Sequence, residues 1–144
     1  MLENLFASKT KKLVHKWEKE HQEIVVLATK VIQHYSKHEY KKAKSYLVKL
    51  NNIAVDHVMD EDIQFFKLLH DKAKNDSKTA QMVKEFTNSF RNTKVTLMNF
   101  LHKYTKDDIE LDDEFFETFN KIVEVLGQRI EFEENNLYAK LREL

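Results

Sequence analysis

The sequence predicts an all-α fold, an antiparallel up-down-up-down four-helix bundle, and three observations predict it. The 144 residues include one Gly and no Pro, so the turn formers that reverse β-strands are nearly absent. Apolar residues recur at alternating spacings of four and three, the pattern of a helix laying one seam against its neighbours. That pattern occurs in four segments joined by short polar connections, which make sequential helices antiparallel.

The first segment carries Leu13, Trp17, His21, Ile24, Ala28, Val31 and Tyr35 on its seam. The second starts after Glu39 and reads Ala43, Leu47, Leu50, Ala54, His57, Glu61, Phe65 and Leu68. The third follows the polar stretch Asn75-Asp76-Ser77 and reads Phe86, Phe90, Thr93, Leu97, Phe100 and Tyr104. The fourth follows the acidic loop Lys106 to Asp113 and reads Phe116, Phe119, Val123, Leu126, Ile130, Glu133, Leu137 and Leu141. Asp112 or Asp113 is its expected N-cap, with Glu114 and Glu117 in the favourable first turn. Each helix is expected to run roughly 25 to 35 residues, or about 40 to 50 Å. The double aromatics Phe65-Phe66 and Phe115-Phe116 widen the seam or leave one ring of each pair exposed. No repeat, linker or low-complexity segment divides the chain, so one domain over residues 1–144 is expected.

Composition narrows the function. Hydrophobic residues at 42% and charged residues at 33% make an ordinary globular balance, which argues against disorder. Lys plus Arg equals Asp plus Glu, 24 each, so there is no basic field to hold nucleic acid. The longest basic cluster, Lys9 to Lys16, is interrupted by Leu13 and Val14. With no Cys, disulfides, thiolate metal sites and cysteine nucleophiles are excluded. No apolar run reaches signal-peptide or membrane-span length, so a soluble, cytoplasmic protein without a membrane partner is expected. One Gly rules out a glycine-rich phosphate loop, and no nucleophile constellation is visible, so the protein is expected not to be an enzyme. Carboxylate–histidine chemistry at a metal is the one catalytic route left open.

The informative residues are polar groups on a seam that should be buried: His21, His57, Glu61 and Glu133. Counted from the end that holds the first and third loops, they fall within roughly 12 Å of axial height near the bundle middle. Two imidazoles and two carboxylates converging in a dry interior suit a metal ion, iron or zinc. His57 and Glu61 form an H-x-x-x-E pair, one turn apart on one face. The alternative is a satisfied polar core without metal, in which the histidines donate to the carboxylates and Arg129 neutralises one of them. A fixed cation at that level would repel a metal ion, and the spacing leaves open whether Arg129 turns inward to Glu133 or outward to solvent. His15, His34, His38, His70 and His102 lie off the seams or near helix ends and are expected at the surface.

The order of these residues resembles the hemerythrin-like (HHE) bundle family, whose helices supply a histidine, an H-x-x-x-E pair, another histidine and a second H-x-x-x-E pair to a di-iron centre. Glu20-His21 looks like the first-helix position, and Asp56-His57-Val58-Met59-Asp60-Glu61 looks like the second. The stretch Arg129-Ile130-Glu131-Phe132-Glu133-Glu134-Asn135-Asn136-Leu137-Tyr138 is similar to the family's fourth-helix ending, with Arg129 where a histidine belongs. The third-helix histidine is missing too, with Phe86 or Phe90 nearest its place. The resemblance covers nearly the whole chain and implies a reduced or vestigial metal site at His21, His57, Glu61 and Glu133, with iron- or oxygen-linked sensing or storage as the function. A second resemblance is to the Rsd/AlgQ family of regulators that bind the primary sigma factor of RNA polymerase. It rests on Lys12-Leu13-Val14-His15-Lys16-Trp17, on Asn92-Thr93 with Met98, and on Arg129-Ile130-Glu131-Phe132-Glu133-Glu134. It implies transcription regulation through a sigma-factor partner.

Overall fold

Four antiparallel helical runs form the bundle in the computed structural model, which describes residues 2–71 and 77–143, with side chains described for 9–67, 77–78 and 80–142. Helices α1 (Leu2–Ser36), α2 (Tyr40–Asp71) and α3 (Ser77–Tyr104) are uninterrupted. The fourth run is α4 (Asp113–Phe132), then a π-helical segment Glu133–Leu137, then a short α5 (Tyr138–Glu143). Side-chain pairs fix the directions. Along α1 and α2, Lys16 meets Asp60 while Glu20 meets His57. Along α1 and the fourth run, Tyr35 meets Asp113 while His21 meets Glu134. Along α3 and α4, Phe100 stacks on Phe115 while Phe86 stacks on Phe132.

The helix ends explain the turns. The α1–α2 connection closes when Glu39 N–H donates to the His34 carbonyl at 2.8 Å, with His38 at φ 62° between them. That left-handed conformation costs a non-glycine residue about 1 to 2 kcal/mol. Of the two expected N-caps it is Asp112 that acts, accepting from Phe115 N–H at 2.7 Å. Lys44 Nζ donates to the carbonyls of Lys106 and Ile109 at 2.6 and 2.5 Å, pinning the acidic loop to α2.

Two apolar clusters make the core. The larger, near the α1–α2 and α3–α4 loops, includes Ile24, Val31, Leu47, Leu50, Leu97, Phe100, Leu101, Phe115 and Phe119. The smaller, toward the other end, comprises Val14, Trp17, Phe65, Val83, Phe86, Leu137, Tyr138 and Leu141. The seam differs from expectation at a few positions. Val14 is fully buried and Leu13 only partly so, while Phe115 takes the core place expected of Phe116. Phe116 is half-buried and stacks on Tyr35, and Phe66 is 71% exposed. His15, His38 and His102 are exposed, and His34 is half-buried against Glu39. The Leu68 and His70 side chains and the Asn75-Asp76 link lie outside what the structure describes. Among the described residues no helix is long and apolar enough to cross a membrane.

Candidate metal centre

Between the two apolar clusters lies one polar layer. His21 from α1, His57 and Glu61 from α2, and Glu133 from the start of the π segment are each no more than 3% exposed. One nitrogen or oxygen from each lies within 4.8 Å of the others. The four seam residues singled out in the sequence are therefore brought together, and the long side chains close the axial spread expected from their positions.

The imidazoles are held from outside by carboxylates. His57 Nδ1 lies 2.8 Å from Glu20 Oε1, and His21 Nδ1 lies 3.0 Å from Glu134 Oε1. A carboxylate accepts hydrogen bonds, so each Nδ1 carries a hydrogen, and a ring with that single hydrogen presents a lone pair at Nε2. The two Nε2 atoms face each other at 3.0 Å. Glu61 Oε1 lies against His57 Nε2, yet among the described residues it has no hydrogen-bond partner of acceptable geometry. Glu133 Oε2 sits 3.7 Å from His21 Nε2.

Tyr138 and Arg129 supply hydrogens to this interior. The Tyr138 hydroxyl lies 2.8 Å from Glu133 Oε2, 3.2 Å from Glu61 Oε2 and 3.3 Å from His21 Nε2, so one hydrogen faces three acceptors. Arg129 turns inward: Nε donates to Glu133 Oε1 at 2.6 Å, and Nη2 lies 3.7 Å from Glu61 Oε1. Its guanidinium also stacks on Phe90, with the central carbon 3.3 Å from the ring centroid. The orientation left open by the sequence is thus settled toward Glu133.

The π segment explains how Tyr138 arrives. Residues five apart point to different faces of an α-helix. Here the Tyr138 backbone N–H bonds to the Glu133 carbonyl, and the wider turn brings the two side chains to one face. Trp17 closes the layer on that side, packing on Tyr138 and on the edge of His57, while its indole N–H donates to Asp60 at 3.0 Å.

Burial sets the charge states. It lowers the His21 pKa from its ordinary value and raises that of Glu61. Burial, then the neighbouring Glu61, pushes Glu133 up to about 8. Burial and the two carboxylates push the Tyr138 phenol well above its usual range. At neutral pH the Glu133 carboxyl therefore keeps its proton, and a metal ion bound here would displace it.

The residues fit a metal ion on two counts. Glu61 Oε1 is an orphaned buried acceptor, and two imidazoles with two carboxylates form a mixed nitrogen–oxygen donor set suited to iron or zinc. The outer carboxylates Glu20 and Glu134 stand where metal-binding histidines usually find the partners that orient them. Sequence reasoning named neither as part of the site, nor Tyr138.

A family model described as the hemerythrin HHE cation binding domain matches residues 12–141. No curated protein and no solved structure matches the chain.

Proposed function

The chain belongs to the hemerythrin HHE cation binding domain family, and from that premise we propose that it binds one divalent metal ion, iron or zinc, through His21, His57, Glu61 and Glu133. The observation that carries this reading is the convergence of both Nε2 lone pairs and the unpartnered Glu61 Oε1 at one buried point. Arg129 limits the site to a single ion, because its guanidinium takes the second oxygen of Glu133 and stands beside Glu61. The metal would supply positive charge and open coordination positions. The protein supplies the donors, holds them through Glu20, Glu134 and Tyr138, and excludes water with Trp17 and the flanking apolar side chains.

On this reading the protein is a non-enzymatic binding protein, with iron- or oxygen-linked sensing or storage as its role. The cavity that adjoins the layer measures about 20 Å³ and is lined by His21, His57 and Glu133 with Ile24, Leu97 and Leu126, too small for an organic substrate. The sigma-factor alternative rests on the sequence resemblance alone. Arg129, which carried much of that resemblance, is used inside the bundle and is only 8% exposed.

The test is elemental analysis of protein purified without chelator from iron-supplemented cells, together with Trp17 fluorescence during titration of the stripped protein with zinc and ferrous iron. About one ion per chain is expected, with quenching of the neighbouring indole and loss of both signals in His57→Ala. No bound metal and no fluorescence change would overturn the proposal.

A further inference from the structure

Arg129 belongs to two environments. Inside the bundle its Nε and Nη2 edge faces Glu133 and Glu61. On its other side it forms part of the floor of a groove of about 950 Å³ between the first half of α3 and the second half of α4. The groove walls are Met82, Phe86, Phe90, Val125 and Phe132, of which Val125 is 40% and Phe132 39% exposed. Gln81 and Gln128 also line the groove. Glu85, an anion on the same lining, accepts from the Gln81 amide at 2.7 Å.

One atom of Arg129 is left over. Its side chain is 6% exposed, and Nη1 is buried with no hydrogen-bond partner among the described residues. A guanidinium with a spare donor below an apolar groove matches one ligand chemistry: a carboxylate accepts from the guanidinium while an attached hydrocarbon covers the aromatic walls. We infer that the α3–α4 groove binds a small organic carboxylate with an aliphatic or aromatic tail, its head group on Arg129 and its tail along Phe86, Phe90 and Phe132.

An occupied groove would cover Val125 and Phe132, the two exposed apolar side chains of its lining, while Phe86 and Phe90 are already buried at its base. Seating the head group requires a small turn of Phe90, which now stacks on the guanidinium. Arg129 also contacts the metal layer through Glu133 and Glu61, so the ligand is tested on metal-free protein, where failure of the groove and failure of the metal reading are read separately.

The probe is phenylbutanoate, titrated into the whole purified chain and followed by amide chemical shifts, with phenylbutanamide and phenylbutylamine as the neutral and cationic counterparts. Saturable binding is expected, with shifts centred on Val125 to Phe132 and on Met82 to Phe90. The carboxylate should bind about tenfold more tightly than the amide, and the amine more weakly than either. Arg129→Met should remove the preference for the carboxylate. Val125→Trp, which fills the groove and leaves Arg129 in place, should weaken all binding. Equal affinity for carboxylate and amide, shifts centred elsewhere, unaltered binding in Val125→Trp, or no saturation would each overturn the inference.

Discussion

The end of the bundle around Phe115 and the layer around Glu61 are equally buried, yet they bury opposite kinds of group. At the first, Phe100, Tyr104, Phe115 and Phe119 stack at centroid distances between 4.9 and 6.2 Å, and each ring brings apolar area out of water at little polar cost. At the second, four carboxyl groups face one guanidinium and two imidazoles, and burial there costs free energy unless each polar group is paired. Both pack well, so packing alone does not distinguish them. The difference teaches that the apolar end holds the bundle together, while the polar layer gathers donors that could hold a metal ion.

The largest effect should come from the apolar end. Phe115→Ala should lower the unfolding free energy by about 3 to 5 kcal/mol through lost transfer and an unfilled cavity, read from the urea midpoint. A loss below about 1 kcal/mol would place the stabilising core elsewhere. Next comes occupancy of the layer. Metal at a free concentration of a hundred times Kd should add about 2.7 kcal/mol to wild type, and Glu20→Gln should weaken metal binding about 10- to 100-fold by releasing His57. If Glu20→Gln binds as wild type does, the outer carboxylate does not orient the ring.

The pH dependence of the metal-free protein sharpens the contrast. Glu133 is raised to about 8, so the folded state keeps a proton that the unfolded chain gives up near pH 4.5. Stability from this group is full below the ordinary carboxylate range and is lost as pH rises toward 8. His21, lowered from its ordinary 6.5, acts the other way: it costs stability as pH falls through 6.5, when the unfolded chain takes up a proton. The two offset each other in acid, so the visible fall should lie between pH 6.5 and 8, at no more than about 1.4 kcal/mol per unit for one proton. Urea midpoints in chelator should show it, and Glu133→Gln should flatten it; a rise over that window contradicts the assignment.

The smallest effect is expected from Glu61→Gln, whose amide can donate to the His57 Nε2 lone pair. Metal-free stability should increase by about 1 kcal/mol, while metal affinity falls. A less stable variant would mean that the Glu61 charge is needed even in the empty layer.

Much of this was legible in the sequence. The fold followed from the three-and-four spacing and from the lack of Gly and Pro, and the layer followed from four polar residues on apolar seams. Glu20 and Glu134 were harder to see because each sits one residue beside its seam, and spacing does not say whether such a side chain turns in. Arg129 posed the same problem, and the Phe90 ring and the Glu133 carboxylate together decide it. Tyr138 was hidden by the π turn, for an α-helical reading points it away from Glu133. The last seam steps, Glu133 to Leu137 to Leu141, are four and four, but so are Leu13 to Trp17 to His21 and His57 to Glu61 to Phe65 in uninterrupted helices, so spacing does not reveal the π turn.

The π turn governs how the fourth run tolerates change in length. The π segment takes up one surplus residue, so α5 is out of phase by one residue with the screw that α4 began. Asn135 and Asn136 are exposed there, and deleting either would let the backbone close into a continuous α-helix. Tyr138 would then follow Glu133 by four residues and still point at it, and Leu141 would keep its place. A deletion within α4, at Glu131 for example, has no such slack to draw on, and would rotate the Glu133 carboxylate away from both histidines.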